Sequence, residues 1–358
     1  MYENKLSVYS SEAFFPALRS SANIEVYQSV LSNLVEKSGS TFQPSSQSLA
    51  IQREFDVYDL RPLLPPTQHQ GLSSDCTAHA IQSAFVAARA ANMFHRDSSL
   101  SELDVQTALS ASMPSRAYIS VLYKQMFGPV LPNINMLTQW TYGISDSALC
   151  SANMGVPTES HFSYPSIYRA SFRSTRVTED QLEEFSQKLL GESSSLLSQL
   201  AERGPYSGWT VTPVVFPEEI KKAQQGIFST TQSKRDSPAK AKARVELVES
   251  FVAALQPVMI SLPIYSTFRP FEDDVYHVPS GSSSYQGFNH SVCIVGYDRE
   301  KSWFIVRDNY GNDLGTKGYW FLPYDTFRWF QLNDAPWVGL GLCTLVPPRS
   351  SRVVNRLK

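Results

Sequence analysis

The sequence has few cysteines, and no two of them have the spacing of a zinc ribbon. The 358 residues include only Cys76, Cys150, Cys293 and Cys343, and they contain no C-x-x-C pair. A chain of this length buries enough apolar surface to fold without disulfides or metal ions. We therefore expect free thiols in a reducing compartment, where a functional cysteine acts as a thiol.

The sequence also has little net charge and no long apolar run. Charged residues make up 18% of the chain and the net charge is −2, whereas a dedicated nucleic-acid binder needs a basic surface for its phosphate contacts. No run of about 18 apolar residues occurs, so we expect no membrane span. The first residues lack the basic start and the apolar stretch of a secretory signal.

The chain divides into a short N-terminal segment, residues 1–50, and one larger domain, residues 51–358. Residues 37–50 are rich in Ser with Gly and Pro, which is typical of a linker. The prolines of the 62–66 run predict an extended stretch, because proline biases the residue before it away from the helical region.

Helical periodicity comes first in the domain, and short apolar strands follow it. This order predicts an α+β fold of two packed subdomains with an antiparallel β half. The predicted helices cover about 76–93, 115–126, 177–203 and the residues after Pro238, and the predicted strands cover 258–262, 291–295 and 303–306.

Three short segments carry side chains suited to nucleophilic catalysis. Cys76 opens a predicted helix, and a helix N-terminus lowers a thiol pKa. Gln70 lies just upstream, where its amide could donate to an oxyanion together with the Cys76 N–H. His290 stands at the head of an apolar strand and could act as general base and acid. Asp308 ends another strand, and a carboxylate there could fix the imidazole tautomer.

These segments resemble those of papain-like (C1-type) cysteine peptidases. Gln70 and Cys76 have the family's six-residue separation, and the strand of His290 is similar to the family's histidine strand. The family's final motif aligns without a gap with Gly311, Gly315, Gly318 and Tyr319. The resemblance extends from about residue 56 to residue 327.

Further motifs are similar to a divergent branch of the family found in bacteria and large DNA viruses. They lie at 59–61, 65–66, 114–116, 155–159 and 164–165. The resemblance implies a papain-like fold with a helical lobe, a β lobe and a cleft between them. It also implies a cysteine endopeptidase that acts on protein or peptide substrates without a metal or cofactor. We expect it to be intracellular or virion-associated.

The resemblance carries roles onto particular residues, and some of these residues depart from the family. Cys76 is the implied nucleophile, His290 the base and Gln70 the oxyanion donor. The family's orienting Asn falls on Asp308, with Asn309 as its rival for that role. A carboxylate adds negative charge, so we expect His290 to hold its proton more firmly. The family's Trp falls on Tyr310.

Several positions have competing interpretations. Gly143 lies near the place where the family presents a glycine edge to the substrate backbone, and the alternative is a turn glycine. His79 shares a helix face with Cys76, and we expect a packed histidine rather than one that tunes the thiol. Cys76 and His290 are 214 residues apart, more than the roughly 130–150 of mature family members. The excess predicts an insertion around 166–243.

Two other functions are consistent with the same residues. The first is a catalytically silent papain-like scaffold with a binding or structural role. It is left open by Asp308 and by Thr77, which stands where the family has an aromatic residue after the nucleophile. The second is an acyl transferase of the transglutaminase type, which uses Cys, His and Asp in the same chain order. For residues 1–50 the candidate roles are a short inhibitory segment and a docking segment. Cys150, Cys293 and Cys343 are interpreted as core residues.

Overall fold

The computed structural model describes the chain from residue 55 to residue 348, with gaps. The described residues are 55–70, 75–97, 99–127, 148, 151–163, 194–214, 216, 237–265, 273–277, 285–329 and 342–348. The predictions for residues 1–50, for Gly143 and for Cys150 lie outside this part of the chain.

The helices predicted at 76–93, at 115–126 and after Pro238 are confirmed. Of the helix predicted over 177–203, the described part begins at residue 194, and the helix Glu102–Ala111 was not predicted. The first helix opens on Cys76, as predicted, and continues to Arg96. Another helix has Pro238 in its first turn, and the Ser237 side chain caps it by accepting a hydrogen bond from the Lys240 N–H. The helices are α1 (Cys76–Arg96), α2 (Glu102–Ala111), α3 (Arg116–Phe127), α4 (Ser194–Arg203), α5 (Pro238–Ala253) and α6 (Thr326–Trp329).

The strands of the described residues form one sheet with antiparallel pairing between neighbours. The three predicted strands are confirmed, and each of them is longer than the apolar run that predicted it. The strands are β1 (Val57–Asp59), β2 (Thr210–Pro213), β3 (Val258–Tyr265), β4 (Tyr285–Asp298), β5 (Trp303–Arg307), β6 (Tyr319–Pro323) and β7 (Cys343–Val346). Their order is β2-β7-β3-β4-β5-β6, and β1 pairs with β4.

The sheet separates two apolar cores. On β4, Cys293 and Val295 point into the core that contains α1, whereas Val292 and Ile294 point into the core that contains α5. Successive residues of a strand face opposite sides, so one strand serves both cores. The α+β prediction is therefore confirmed, with α1 packed on one face of the antiparallel sheet.

α1 is buried along most of its length. Its small side chains allow neighbouring elements to approach closely, and Phe85 makes edge contacts with Tyr206 and Trp209, at 5.1 and 5.0 Å between ring centroids. Both aromatic residues belong to the predicted insertion at 166–243, whose described part also supplies α4 and β2. The insertion itself stays a prediction. Among the described residues, no helix is both long enough and apolar enough to cross a membrane.

The prediction of an extended run at 62–66 is wrong in its first half. Residues Arg61–Leu63 form one turn of 3-10 helix with Pro62 near its start, and the chain becomes extended only at Leu64. Proline suits the first turn of a helix because its fixed φ is helical and its missing N–H needs no partner there. The Asp59 carboxylate also accepts the Arg61 N–H at 2.9 Å, which stabilises the turn.

Gly318 provides a test of the contact between the segment before α1 and the loop before β6. Its φ is +86°, and an added Cβ would lie 1.9 Å from Thr67 Oγ1. We expect Gly318→Ala to lower the free energy of unfolding by about 2–4 kcal/mol, from the strained backbone and the steric overlap together. Equilibrium denaturation measures this change.

Gly208→Ala is the matched control, because its φ is +72° but the nearest heavy atom to an added Cβ is 3.7 Å away. In this variant we expect the free energy of unfolding to fall only by the cost of a left-handed backbone at a residue with a side chain, about 1–2 kcal/mol. Equal losses in the two variants would contradict the close contact with Thr67.

Candidate active site

The Cys76 thiol lies at the N-terminal end of α1. The first N–H groups of a helix have no intrahelical partner, so this end of α1 favours a negative charge. Cys76 is buried, with 7% of its surface exposed. Burial alone would raise the pKa of the thiol, but the hydrogen bond and charge of His290, together with hydrogen bonds from Ser291, lower it. The balance favours a thiolate.

His290 and Asp308 meet because β4 and β5 are paired. The β4–β5 register sets Cys293 opposite Arg307, which places His290 and Asp308 near the same end of the two strands. The His290 Nε2 atom lies 3.4 and 3.3 Å from the two carboxylate oxygens of Asp308. Since Nε2 faces the carboxylate, the other ring nitrogen is left for the thiol.

The electrostatics of this pair favour the charged forms of both groups. Burial alone would lower the pKa of His290, but the charge and hydrogen bond of Asp308, with the contribution of Cys76, raise it to about 10. Burial would likewise raise the pKa of Asp308, but His290 and the hydrogen bonds from Trp320 and Asn309 lower it. The arrangement can therefore hold a thiolate, an imidazolium and a carboxylate together.

Asn309, the other candidate for orienting His290, makes different contacts from Asp308. Its Nδ2 donates to the carbonyl oxygens of Cys76 at 3.1 Å and Ser291 at 2.9 Å. The amide thus ties the start of α1 to β4, while the neighbouring carboxylate contacts the imidazole. Of the two residues, the structure brings Asp308 into contact with the His290 ring.

Gln70 is buried beside the same loop. Its backbone N–H donates to the Asn309 carbonyl at 2.8 Å, and His69 forms an isolated bridge with Tyr310. The Arg307 guanidinium holds the segment just before Gln70 by donating to the Pro65 carbonyl at 2.8 Å. The chain before α1 is therefore anchored to the chain after β5, which fixes Gln70 beside Asn309.

Tyr310 covers the imidazole. Its ring stacks on His290 with centroids 5.3 Å apart and an interplanar angle of 25°, and His69 meets the ring of Tyr310 edge-on at 5.8 Å. Burial raises the pKa of the Tyr310 hydroxyl, so this cover is neutral. An aromatic cover keeps water from the His290–Asp308 contact and strengthens the interaction between their charges.

The remaining candidates fall into the core or outside the described residues. His79 is buried, and both burial and the Arg116 charge hold its pKa well below the ordinary value, so it is a neutral packed histidine. Cys293 and Cys343 are buried free thiols, and burial raises the pKa of Cys293. Within the described ranges, no group of three or more His, Cys, Asp or Glu side chains could hold a metal ion.

Two side chains at this site have no signal in the linear sequence. Arg307 and Trp320 lie on adjacent strands, where the register sets Arg307 opposite Tyr319 and Val306 opposite Trp320. Trp320 donates its indole N–H to Asp308, and Arg307 also donates to the Tyr319 hydroxyl at 2.6 Å. Only the register of β5 and β6 reveals these contacts.

A comparison with known protein families gives a match to the part of the chain that contains His290 and Asp308. A sequence model of the papain family of cysteine proteases matches residues 141–336, which is more than half of the chain. The matched range includes His290 and Asp308 and begins after Cys76. The position of Cys76 therefore rests on its own loop motif and on its contact with His290.

Two curated relatives match shorter stretches. Gamete and mating-type specific protein A of Dictyostelium discoideum is 24% identical over 115 residues, which are 32% of this chain and 22% of that protein. An uncharacterized peptidase C1-like protein of Acanthamoeba polyphaga mimivirus is 23% identical over 114 residues, 31% of this chain and 36% of that protein. The chain thus aligns with well under two thirds of either relative.

The chain is also similar in fold to a solved cysteine protease structure that covers most of its length. Xylellain, a cysteine protease from Xylella fastidiosa, superposes with a TM-score of 0.55 at 16% identity, covering 86% of this chain and 91% of that structure. At this identity the likeness concerns the fold, and it agrees with the helices and the antiparallel sheet described above.

The shifted pKa of Cys76 predicts selective alkylation. We expect iodoacetamide to modify Cys76 in the native protein, with a rate midpoint below the pH at which an ordinary thiol ionises, because His290 and Ser291 lower the pKa of the Cys76 thiol. Buried Cys293 and Cys343 should remain unmodified. Peptide mapping by mass spectrometry across a pH series measures both results.

Two variants control this experiment. His290→Ala removes the opposing charge and should move the midpoint of Cys76 upward, whereas Cys293→Ala removes a distant thiol and should leave it unchanged. A wild-type midpoint at the ordinary thiol value would contradict the lowered pKa.

Proposed function

Because the chain belongs to the papain family of cysteine proteases, we propose that it is a cysteine peptidase and that Cys76, His290 and Asp308 form its catalytic triad. We propose further that Gln70 donates to the oxyanion and that the enzyme is an endopeptidase. The observation that supports this assignment best is the contact of one thiol, one imidazole and one carboxylate, supplied by α1, β4 and the end of β5.

In the proposed reaction, the Cys76 thiolate attacks the scissile carbonyl carbon and a sulfur–carbon bond forms. The His290 imidazolium then gives its proton to the amine as the carbon–nitrogen bond breaks, which leaves a thioester on Cys76. Water then attacks the thioester carbon, while the neutral His290 imidazole takes a proton from that water. The carboxylic acid leaves, and the thiolate and imidazolium are restored without a metal or cofactor.

Asp308 orients the imidazole and stabilises its charged form. A carboxylate accepts from the imidazole as an amide oxygen does, and it adds a full negative charge 3.3 Å from Nε2. The imidazolium should therefore persist to higher pH than beside an amide. This agrees with the direction in which Asp308 shifts the pKa of His290.

Two N–H donors are proposed for the oxyanion. The Cys76 N–H lies at the start of α1, and the Gln70 side-chain amide belongs to the segment anchored on Asn309. Donors held in place before the reaction stabilise the charge that develops on the carbonyl oxygen. We propose in addition that Gly143 lies along the substrate and that residues 1–50 inhibit or dock.

Replacing the nucleophile tests the proposal. We expect Cys76→Ala to lose peptide hydrolysis by at least about 10³-fold, because no thiolate remains to form the thioester. Cleavage of a mixed peptide library, followed by mass spectrometry, measures the loss. Cys343→Ala, which also removes a buried thiol, should keep the wild-type rate.

Undiminished cleavage by Cys76→Ala would contradict the assignment of Cys76 as the nucleophile. A wild-type protein that cleaves no peptide and ignores thiol-directed reagents would favour the silent scaffold. A wild-type protein that incorporates amines in preference to water would favour the transglutaminase-type reaction.

The oxyanion role of Gln70 predicts a loss in kcat. Gln70→Ala should lower kcat by about 10²-fold with little change in KM, because the donor acts mainly in the transition state. Gln106→Ala is the control, since that side chain donates to the Pro62 carbonyl at 2.6 Å on the surface. Equal rates for Gln70→Ala and the wild type would argue against the role.

A further inference from the structure

The Asp308 carboxylate is enclosed by N–H donors. Its side chain has no exposed surface. The backbone N–H groups of Asn309 and Tyr310 donate to Oδ1, at 2.6 and 3.2 Å. The indole N–H of Trp320 donates to Oδ2, and the His290 Nε2 lies within 3.4 Å of both oxygens. Both sides of the carboxyl group therefore face donors.

Such a surrounding suits a carboxylate and does not suit an amide. An ionised carboxylate only accepts hydrogen bonds, whereas the head of an Asn has one accepting oxygen and one NH2 group that only donates. In one orientation an amide at position 308 would set its NH2 against the Trp320 indole. In the other orientation the NH2 would meet the two backbone N–H groups.

Trp320 is held in the position from which it donates. Its backbone pairs with Val306 across β5 and β6, and its ring stacks on Tyr276 with centroids 6.1 Å apart and an interplanar angle of 28°. The side chain is fully buried. A donor fixed in this way needs no rearrangement to stabilise the charge on Asp308.

We propose that Trp320 is a positioning residue, and that its indole N–H completes a donor socket which requires an ionised carboxylate at position 308. The socket consists of Trp320 and the backbone N–H groups of Asn309 and Tyr310. This inference rests on the proposed function, because the carboxylate matters there through its contact with His290. It also explains why Asp308 stands where the family has Asn, as part of a matched pair with Trp320.

Among the described residues, few charged groups face His290, so the effect of the socket on the imidazolium can be isolated. α1 contributes Cys76 and His79, the segment before it contributes His69, and the chain after β5 contributes Asp308 and Tyr310. Burial favours the neutral forms of the two other histidines and of Tyr310. The imidazolium therefore faces only two charges among these groups, the thiolate and the carboxylate.

A spectroscopic experiment tests the hydrogen bond without using activity. The chain has six tryptophans, and selective 15N labelling gives each indole N–H its own signal. The signal missing from Trp320→Phe identifies Trp320. A charge-assisted hydrogen bond should place it downfield in the wild type. Asp308→Asn should move it upfield while the other indole signals stay in place, and an unmoved signal would overturn the proposal.

A double-mutant cycle tests the consequence for catalysis. Trp320→Phe keeps the ring but removes the donor, and it should lower kcat by about 10-fold with KM nearly unchanged. In the Asp308→Asn background the same change should cost less than about twofold, because the carboxylate is already absent. Asp308→Asn alone should also lose activity above neutral pH, where the imidazolium is no longer held.

Trp209→Phe is the matched control, because it also removes a buried indole N–H, one that donates to the Pro205 carbonyl at 3.1 Å far along the chain from Asp308. It should leave kcat unchanged. Equal effects of Trp320→Phe in both backgrounds would mean a packing role and overturn the proposal, as would wild-type kcat in Asp308→Asn. If activity proves independent of Cys76, the proposed function fails, while the indole signal still reports the socket.

Discussion

A carboxylate buried beside an imidazole is the constraint on which the rest of this site depends. Ions removed from water are stable only when hydrogen bonds and an opposite charge replace their hydration. Asp308 has both, in the His290 ring and the surrounding N–H groups. Because these hydrogen bonds replace the lost water, burial does not neutralise the His290–Asp308 pair. The positive charge on the His290 ring can in turn favour a thiolate at Cys76.

The fold supplies this arrangement by joining three elements around one loop. Asn309 ties the start of α1 to β4, and Arg307 ties the segment before α1 to β5 and β6. Tyr310 then covers the imidazole. Residues at the end of β5 and just after it therefore hold the site together. They explain how a helix and a sheet from distant parts of the chain present a thiol and an imidazole to each other.

Local patterns in the sequence predict part of this structure, and the register of the sheet decides the rest. A helix that opens on Cys76 follows from its small side chains, and β3 to β5 follow from continuous apolar runs. The donation from Trp320 to Asp308 depends on the β5–β6 pairing, which no local pattern encodes. The 3-10 turn at Arg61–Leu63 has a local cause in Asp59, but the prolines indicated an extended chain more strongly.

The most direct test of the account is to trap the acyl-enzyme. The protein is mixed with an activated ester of a short acylated peptide, quenched in acid within the first turnover, and digested for mass spectrometry. We expect one acyl group on Cys76, formed in the wild type and strongly reduced in His290→Ala. An acyl group on another residue, or turnover of the ester with no adduct on Cys76, would contradict it.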